Sequence, residues 1–330
     1  MAIFKFYNIQ LLPMNKKINE VGDEGYCKLF NAIKIQIKET KEKGHRLSSM
    51  AIKMKGEMFF APYSVTIKEY ASDDVKKPNK IVHGYFLKFD DVNELVDTDS
   101  GELEYRSKGN TSSRRFELEF VFDPKNHILA IHHTKGLPSR GPLIDALDKV
   151  LSGAAHILYP EHNLDIEELT DADSIEEFFA KPKKGFKNYT GTVTFSNSDD
   201  FEEIIEPELR PLVAQAELEL KDKSVGKWTM KYQSFKDHLM SDLPINAKVQ
   251  MMLATQYGNA ESSYTDEEGK DKKYQMEDYP VREPLEGSPE GILDRSLSIL
   301  GLIRKAKTRT RVSKNVRGQN KVFLTSNESN

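Results

Sequence analysis

The sequence predicts an α+β protein: a mostly antiparallel N-terminal sheet with a packed helix, then a smaller α/β and helical domain and a basic tail. Three patterns indicate this class. An amphipathic helix pattern occupies residues 26–43, apolar and polar residues alternate with a period of two between residues 49 and 133, and helical patterns return beyond Pro138. We expect a β-rich domain at 1–138, an α/β and helical domain at 139–257, a charged linker or loop at 258–291, a terminal helix at 292–303 and a basic tail at 304–330.

The N-terminal half combines one helix with several strands. Residues 2–12 form a dense apolar run, as expected for a strand that is buried on much of both faces. The following helix has apolar residues at helical spacing and ends at Gly44. The clearest hairpin spans residues 116–133, because Asp123-Pro124-Lys125-Asn126 supplies turn residues between two apolar runs.

The second half alternates helices with short strands. Apolar residues at helical spacing from Leu143 to Leu151 predict its first helix. The patterns that follow predict a strand at 163–169, a short helix at 173–179 capped by Asp171 or Asp173, a strand at 189–195, helices from 199 and at 211–223, a strand at 228–232 and one or two helices through 257. Prolines and charges then indicate a loop or tether over residues 258–291.

Cysteine content and hydropathy bear on the compartment. The single cysteine, Cys27, excludes an internal disulfide framework and favours a reducing environment, so we expect a cytoplasmic protein. No stretch approaches the roughly 18 apolar residues of a membrane span, and the N-terminus lacks the pattern of a secretory signal. We therefore expect no membrane partner.

The end of the chain is strongly basic. Because this basic run is positive and the whole chain has a net charge of −4, the rest of the chain is an acidic body. Such a run favours phosphate binding to nucleic acid, with DNA expected rather than RNA, although a solubilising terminus is the alternative. The basic run consists of eight cations without an intervening acid: Arg304, Lys305, Lys307, Arg309, Arg311, Lys314, Arg317 and Lys321.

Two further basic segments are candidates for the same surface. Arg114 and Arg115 lie in a polar stretch that predicts a hairpin tip, where side chains could reach phosphates. Lys183 and Lys184 lie between a predicted helix and a predicted strand. Solvated loops are the alternative interpretation of both segments, since charged residues of loops commonly face water.

Catalytic and metal-binding motifs are weak. His132 and His133 are adjacent on a predicted strand and point to opposite faces, so they do not form one metal site. The acidic-x-lysine pattern of metal-dependent nucleases occurs as Glu219-Leu220-Lys221, but in a segment with a helical pattern. The chain has no phosphate-binding glycine motif and no GxSxG motif. We expect no cofactor, no metal and no catalytic residue, which favours a non-enzymatic protein.

An acidic stretch precedes and enters the predicted helix at 173–179. It includes Asp165, Glu167, Glu168, Asp171, Asp173, Glu176 and Glu177. A solvated face is the simple interpretation, and Asp171 and Asp173 are ordinary residues for a helix start. The alternative is that these acids bind a basic partner or the protein's own basic run in an autoinhibitory contact.

Two resemblances point to phage biology. The opening Phe4-Lys5-Phe6-Tyr7-Asn8-Ile9-Gln10-Leu11-Leu12-Pro13, followed by a helix and a β-rich half, resembles a bacterial family of unknown function found among prophage and phage-defence genes. The elements at 143–195, with Lys187-Asn188-Tyr189-Thr190-Gly191-Thr192-Val193-Thr194, are similar to the family of the lambda phage exclusion protein RexA. The second resemblance implies DNA binding, dimerisation and a role in aborting infection, and its pattern does not include the basic run.

These patterns favour a cytoplasmic, non-enzymatic nucleic-acid-binding protein, a homodimer that acts in antiphage defence or prophage exclusion. A partner protein of a defence operon is a further expectation. The first alternative is a metal-dependent nuclease or toxin effector of a defence system, with a site assembled from residues distant in sequence. The second is a protein-interaction module whose basic run serves only solubility.

Overall fold

The computed structural model describes residues 1–15, 17–45, 47–72, 78–90, 94–106, 114–194, 222–287 and 289–311. Within them the chain forms two compact units. The first comprises Met1–Phe4, Gly22–Pro160 and Pro284–Leu300, and the second comprises the described residues of Lys5–Val21, Glu161–Glu283 and Gly301–Asn330. This division differs from the predicted domains, because the helix that follows Pro138 belongs to the first unit.

Helices and strands are mixed along the described chain, so the α+β class is confirmed. The helices are α1 (Asp23–Glu42), α2 (Arg140–Leu158), α3 (Ala172–Ala180), α4 (Ile245–Tyr257) and α5 (Ile292–Arg309). The strands are β1 (Ala2–Pro13), β2 (Ile52–Lys53), β3 (Met58–Tyr70), β4 (Asn79–Asp90), β5 (Glu94–Val96), β6 (Leu103–Arg106), β7 (Arg115–Asp123), β8 (Ile128–His132), β9 (His162–Glu168), β10 (Lys183–Thr194), β11 (Lys227–Gln233), β12 (Gly258–Asp266), β13 (Asp271–Gln275) and β14 (Arg282–Leu285).

The first unit contains an antiparallel sheet in the order β2-β3-β4-β7-β8. Its β7–β8 hairpin matches the prediction for residues 116–133, with Phe120 opposite Ile131 and the left-handed His127 completing the turn. Side chains alternate between the two faces of a strand, so Phe120 and Phe122 lie on the face opposite to Glu119. The two faces of this sheet therefore have different chemistry.

Helix α1 covers the aromatic face of that sheet. Its buried stripe includes Leu29, Phe30 and Ile33, the residues that predicted an amphipathic helix. The Phe30 ring lies 4.6 Å from the Phe122 ring and 6.0 Å from the Phe120 ring, measured between centroids. Aromatic packing of this kind buries a large apolar area, and it attaches α1 to β7.

The second unit is built around α4 and an antiparallel sheet in the order β11-β10-β12-β13. Every residue of α4 from Ala247 to Tyr257 is buried, which explains why its sequence has no clear amphipathic stripe. Phe178 of α3 joins the same core, where its ring stacks on Tyr274 of β13. In the same unit β1 pairs with β9, with Tyr7 opposite Glu168.

Residues 258–291 differ from the predicted linker, because they contain β12, β13 and β14. The prediction of a charged loop is wrong at the level of secondary structure. Ala260 and Ser262 are buried on one face of β12, while Glu261 alternates with them. The buried side chains of β12 are small or polar. Burial therefore alternates along the strand, but apolar and polar residues do not alternate in its sequence. The predicted helices from 199 and at 211–223 lie outside the described residues, except for the last residues of the second.

Helix α5 continues to Arg309, beyond the predicted boundary at 303. Leu302, Ile303 and Ala306 are buried and continue its apolar stripe, and Thr310 just after it is also buried. The first cations of the basic run are therefore helical residues. No helix in the described ranges is long and apolar enough to cross a membrane.

Candidate functional site

The basic run begins on the exposed side of α5. Arg304 and Lys305 face solvent there, and the described residues include no ion-pair partner for either side chain. Lys307 and Arg311 are half-buried. Lys314, Arg317 and Lys321 lie outside the described residues. The described part of the run thus offers two accessible cations on a rigid element.

Arg309 differs from its neighbours, because two carboxylates surround it. Its Nη1 donates to Glu283 Oε1 at 2.9 Å and to the Arg282 carbonyl oxygen at 3.2 Å, while Nη2 donates to Asp171 Oδ2. Side-chain exposure is 15% for Asp171 and 12% for Glu283, against 41% for Arg309. We call Asp171 and Glu283 the acidic pair. Asp171 belongs to the acidic stretch, and it contacts a member of the basic run within the second unit.

Lys183 is directed inward at the end of α3. Its Nζ donates to the Phe178 carbonyl oxygen and, at 2.5 Å, to that of Lys181. The ammonium also lies 4.7 Å from the Phe178 ring centroid and 5.4 Å from that of Tyr264. Burial, together with the charge of Lys181, lowers the pKa of Lys183 to about 8. This lysine caps carbonyls that the end of α3 leaves without helical partners, whereas the adjacent Lys184 is exposed.

Arg114 and Arg115 belong to the first unit, at the start of β7. The Arg114 backbone nitrogen donates to Asp90 Oδ1 at 2.9 Å. Arg115 pairs with Glu117 at 2.5 Å, and its guanidinium lies 5.6 Å from the Tyr63 ring centroid. Arg115 therefore has a local acid and a local ring, in contrast to Arg304 and Lys305.

The sequence did not predict a buried ionic cluster in the first unit. Glu119 is 4% exposed; its Oε1 accepts from Arg295 Nε at 2.5 Å and lies 3.1 Å from His83 Nε2, and Oε2 accepts from Arg295 Nη2 at 2.6 Å. Burial raises the pKa of Glu119, but the hydrogen bonds from His83 and Arg295 outweigh that effect and bring it down to about 2. The signal available in the sequence was Arg295, which lies within the largely apolar first part of α5.

Two other histidines of the first unit have aromatic partners. The His127 ring stacks on Tyr26 at 4.3 Å, and the His132 ring stacks on Phe4 at 5.3 Å. Burial lowers the pKa of His132, as desolvation disfavours the imidazolium. Among the residues that the structure describes, no three metal-ligating side chains converge.

A groove of about 520 Å³ lies between α1 and α2 in the first unit. Tyr159 Oη donates to the Gly25 carbonyl oxygen at 3.1 Å, which joins the end of α2 to the start of α1. Small residues, including Ala32 and Gly153, are among those that line the groove. Ile157 lies at the rim and is 80% exposed.

The fold and these side chains define a class: an α+β protein with two compact units, a helix bearing exposed cations, and no converging metal ligands in its described ranges. The chain belongs to the family described as a domain of unknown function, DUF4747, whose model matches residues 3–304. The basic run beyond Arg304 lies outside that match. No curated protein matches the chain.

Proposed function

We propose that this protein binds the phosphate backbone of nucleic acid, with DNA preferred, and performs no catalysis. The observation that carries the proposal is the acid-free basic run, whose first two cations, Arg304 and Lys305, are exposed on α5 without an ion-pair partner among the described side chains. Cations on a helix have a backbone that is already ordered, so only their side chains lose freedom when they contact phosphates, and each contact releases condensed counterions.

The proposed biological setting is antiphage defence or prophage exclusion in the cytoplasm, by a homodimer that works with a partner protein of a defence operon. The resemblances support the setting and the dimer, and the single cysteine supports the compartment. Lys184 and the first-unit pair Arg114 and Arg115 are secondary candidates for phosphate contacts. Lys183 contributes through the stability of α3 in this proposal.

Binding should depend on the exposed cations of α5. Labelled single- and double-stranded DNA and RNA are titrated with the wild-type protein and with R304Q/K305Q across a salt series. Removing two phosphate contacts should weaken duplex DNA binding and reduce the log-log salt slope by roughly 1.8, that is about 0.9 per contact. The matched control is K231Q/K236Q, which removes two exposed lysines of the second unit with the same charge change. Equal losses in both variants would contradict a specific role of α5.

A deletion variant measures how much the rest of the basic run contributes to nucleic-acid binding. The chain should end after Arg311, because Ala306 and Thr310 are buried and the Thr310 carbonyl oxygen accepts from Thr255 Oγ1 at 2.8 Å. A deletion from residue 304 would remove these contacts, so a loss of binding could then come from a loss of folding. Magnesium or manganese is included and product sizes are checked, since shortened nucleic acid would support a nuclease instead.

The defence role has its own test. Phage plating efficiency is compared on bacteria that carry the gene, the R304Q/K305Q variant or an empty vector. Fewer plaques with the wild type and restored plaques with the variant would support defence through nucleic-acid binding. Equal plating on all three strains for every phage used would remove this part of the proposal.

A further inference from the structure

The basic run contains one cation that is already bound within the protein. Arg309 donates to both members of the acidic pair, whereas Arg304 and Lys305 have no acid partner among the described residues. Both acids come from elements distant in sequence, since Asp171 caps α3 and Glu283 lies in β14. The second unit therefore folds two carboxylates around a member of the basic run.

The acidic pair resembles phosphate because it presents anionic hydrogen-bond acceptors to Arg309. Anionic oxygens accept hydrogen bonds from two separate guanidinium nitrogens, as phosphate oxygens do. A nucleic-acid phosphate and the acidic pair would thus use the same donors. They cannot both satisfy Arg309 fully, so binding of one opposes binding of the other.

The position of Arg309 places it beside the proposed binding surface. Lys305 and Arg309 are four residues apart on α5, and such side chains are neighbours on one helix face. A phosphate that contacts Lys305 would come close to Arg309. The Arg309 side chain is 41% exposed, so it remains reachable from solvent while its acid partners are largely covered.

We propose that the acidic pair is an autoinhibitory contact, which competes with nucleic-acid phosphate for Arg309. This inference rests on the proposed function and adds its regulation. Release of Arg309 extends the phosphate-binding surface by one guanidinium on the face that carries Lys305. Binding strength is then set by the competition between the acidic pair and the nucleic acid.

The test removes the negative charges and keeps the shapes. D171N/E283Q eliminates both carboxylates, and asparagine is a good helix cap, so the α3 start is preserved. Duplex DNA binding should tighten about fivefold at low salt, the scale of one or two partly exposed ion pairs. The salt slope should steepen by about 0.9, because one more phosphate is contacted.

Two further variants separate competition from general repulsion. E267Q/E268Q has the same charge change at exposed positions of the second unit and should bind like the wild type. Adding R309Q to D171N/E283Q should abolish the gain, because the released donor is gone. Thermal unfolding of each full-length variant shows that it is folded.

The outcomes distinguish this inference from the proposed function. A gain that needs Arg309 supports the contact as autoinhibitory. Three outcomes would overturn the inference alone, provided that the wild type binds. D171N/E283Q shows no gain, the gain survives the addition of R309Q, or an equal gain appears in E267Q/E268Q. Absence of binding by every protein overturns the proposed function and the inference with it.

Discussion

At the residue scale, Glu119 is a buried charge with three hydrogen-bond contacts to basic side chains. Its carboxylate lies out of water and accepts from Arg295 on both oxygens, with His83 beside it. Removing one partner from a buried ion pair leaves the other charge without compensation, which costs far more than the pair itself contributes. Glu119 therefore links β4, β7 and α5 through His83 and Arg295 within the first unit.

Replacing Glu119 should destabilise the protein in a pH-dependent way. At pH 7, E119Q should lower the free energy of unfolding by about 3–5 kcal/mol, because Arg295 loses its anion. The pKa of Glu119 in the folded protein, about 2, lies below its ordinary value of 4.5. Its stabilisation is thus complete above pH 4.5 and is lost as the pH falls through 2.

Urea unfolding at a series of pH values measures this effect. The difference between wild type and E119Q should shrink between pH 4.5 and pH 2. E117Q is the matched control, since Glu117 is 45% exposed and pairs only locally with Arg115 in β7. A constant difference across that range would show that the partners of Glu119 do not lower its pKa in the folded protein.

At the element scale, a lysine at the end of α3 has a different role in the structure from the one that the sequence predicted. Lys183 was a candidate for phosphate binding, yet its ammonium lies against the last carbonyls of α3 and an aromatic wall. The neighbouring Lys184 is exposed, whereas Lys183 is half-buried, and the strand pairing is irregular between Lys183 and Gly185. One strand position thus separates a helix cap from a surface cation.

Removing the Lys183 ammonium should destabilise α3. K183M keeps the aliphatic stem against Phe178 and removes the hydrogen bonds, which should cost about 1 kcal/mol. K184M has the same change of charge and should be close to neutral. Chemical denaturation of both variants measures the difference, and equal stability would show that the carbonyl contacts are not stabilising.

Two glycines should respond in opposite ways to alanine. A Cβ at Gly84 of β4 would lie 2.2 Å from the Ser64 carbonyl oxygen, whereas at Gly153 of α2 it would meet open space. G84A should therefore cost about 1–3 kcal/mol through overpacking. G153A should stabilise by about 0.5–1 kcal/mol, because alanine favours a helix. Thermal unfolding tests both, and the same sign in both variants would contradict the steric argument.

At the scale of the whole molecule, charge is distributed unevenly along the chain. The body is acidic and the last part is basic, and the family match ends at residue 304, where the basic run begins. Net charge of this kind governs association with polyanions and its salt dependence, but it does not determine the fold. The proposed binding function and the family's fold thus belong to largely separate parts of the chain.

The sequence by itself predicted the elements with strong periodicity. The α1 stripe and the β7–β8 hairpin follow from local side-chain patterns and turn residues. The sequence also predicted that Asp171 or Asp173 caps α3, and the structure shows that the cap is Asp171. It missed β12, because the buried residues of that strand are small or polar and give no apolar alternation. It also missed β13 and β14, because each of these short, charged strands has only one buried side chain, Tyr274 in β13 and Leu285 in β14. It also ended α5 early, since charged residues on one face concealed the buried Ala306 on the other.

The sequence also determined the sign and length of the basic run, because charge is a property of composition. Only the tertiary structure decided which of the described candidate cations are accessible. Arg304, Lys305 and Lys184 face solvent, while Arg309 is bound by the acidic pair and Lys183 caps α3. The physical reason is that an ion pair needs two groups within about 4 Å, and residues such as Asp171 and Arg309 meet only through the fold.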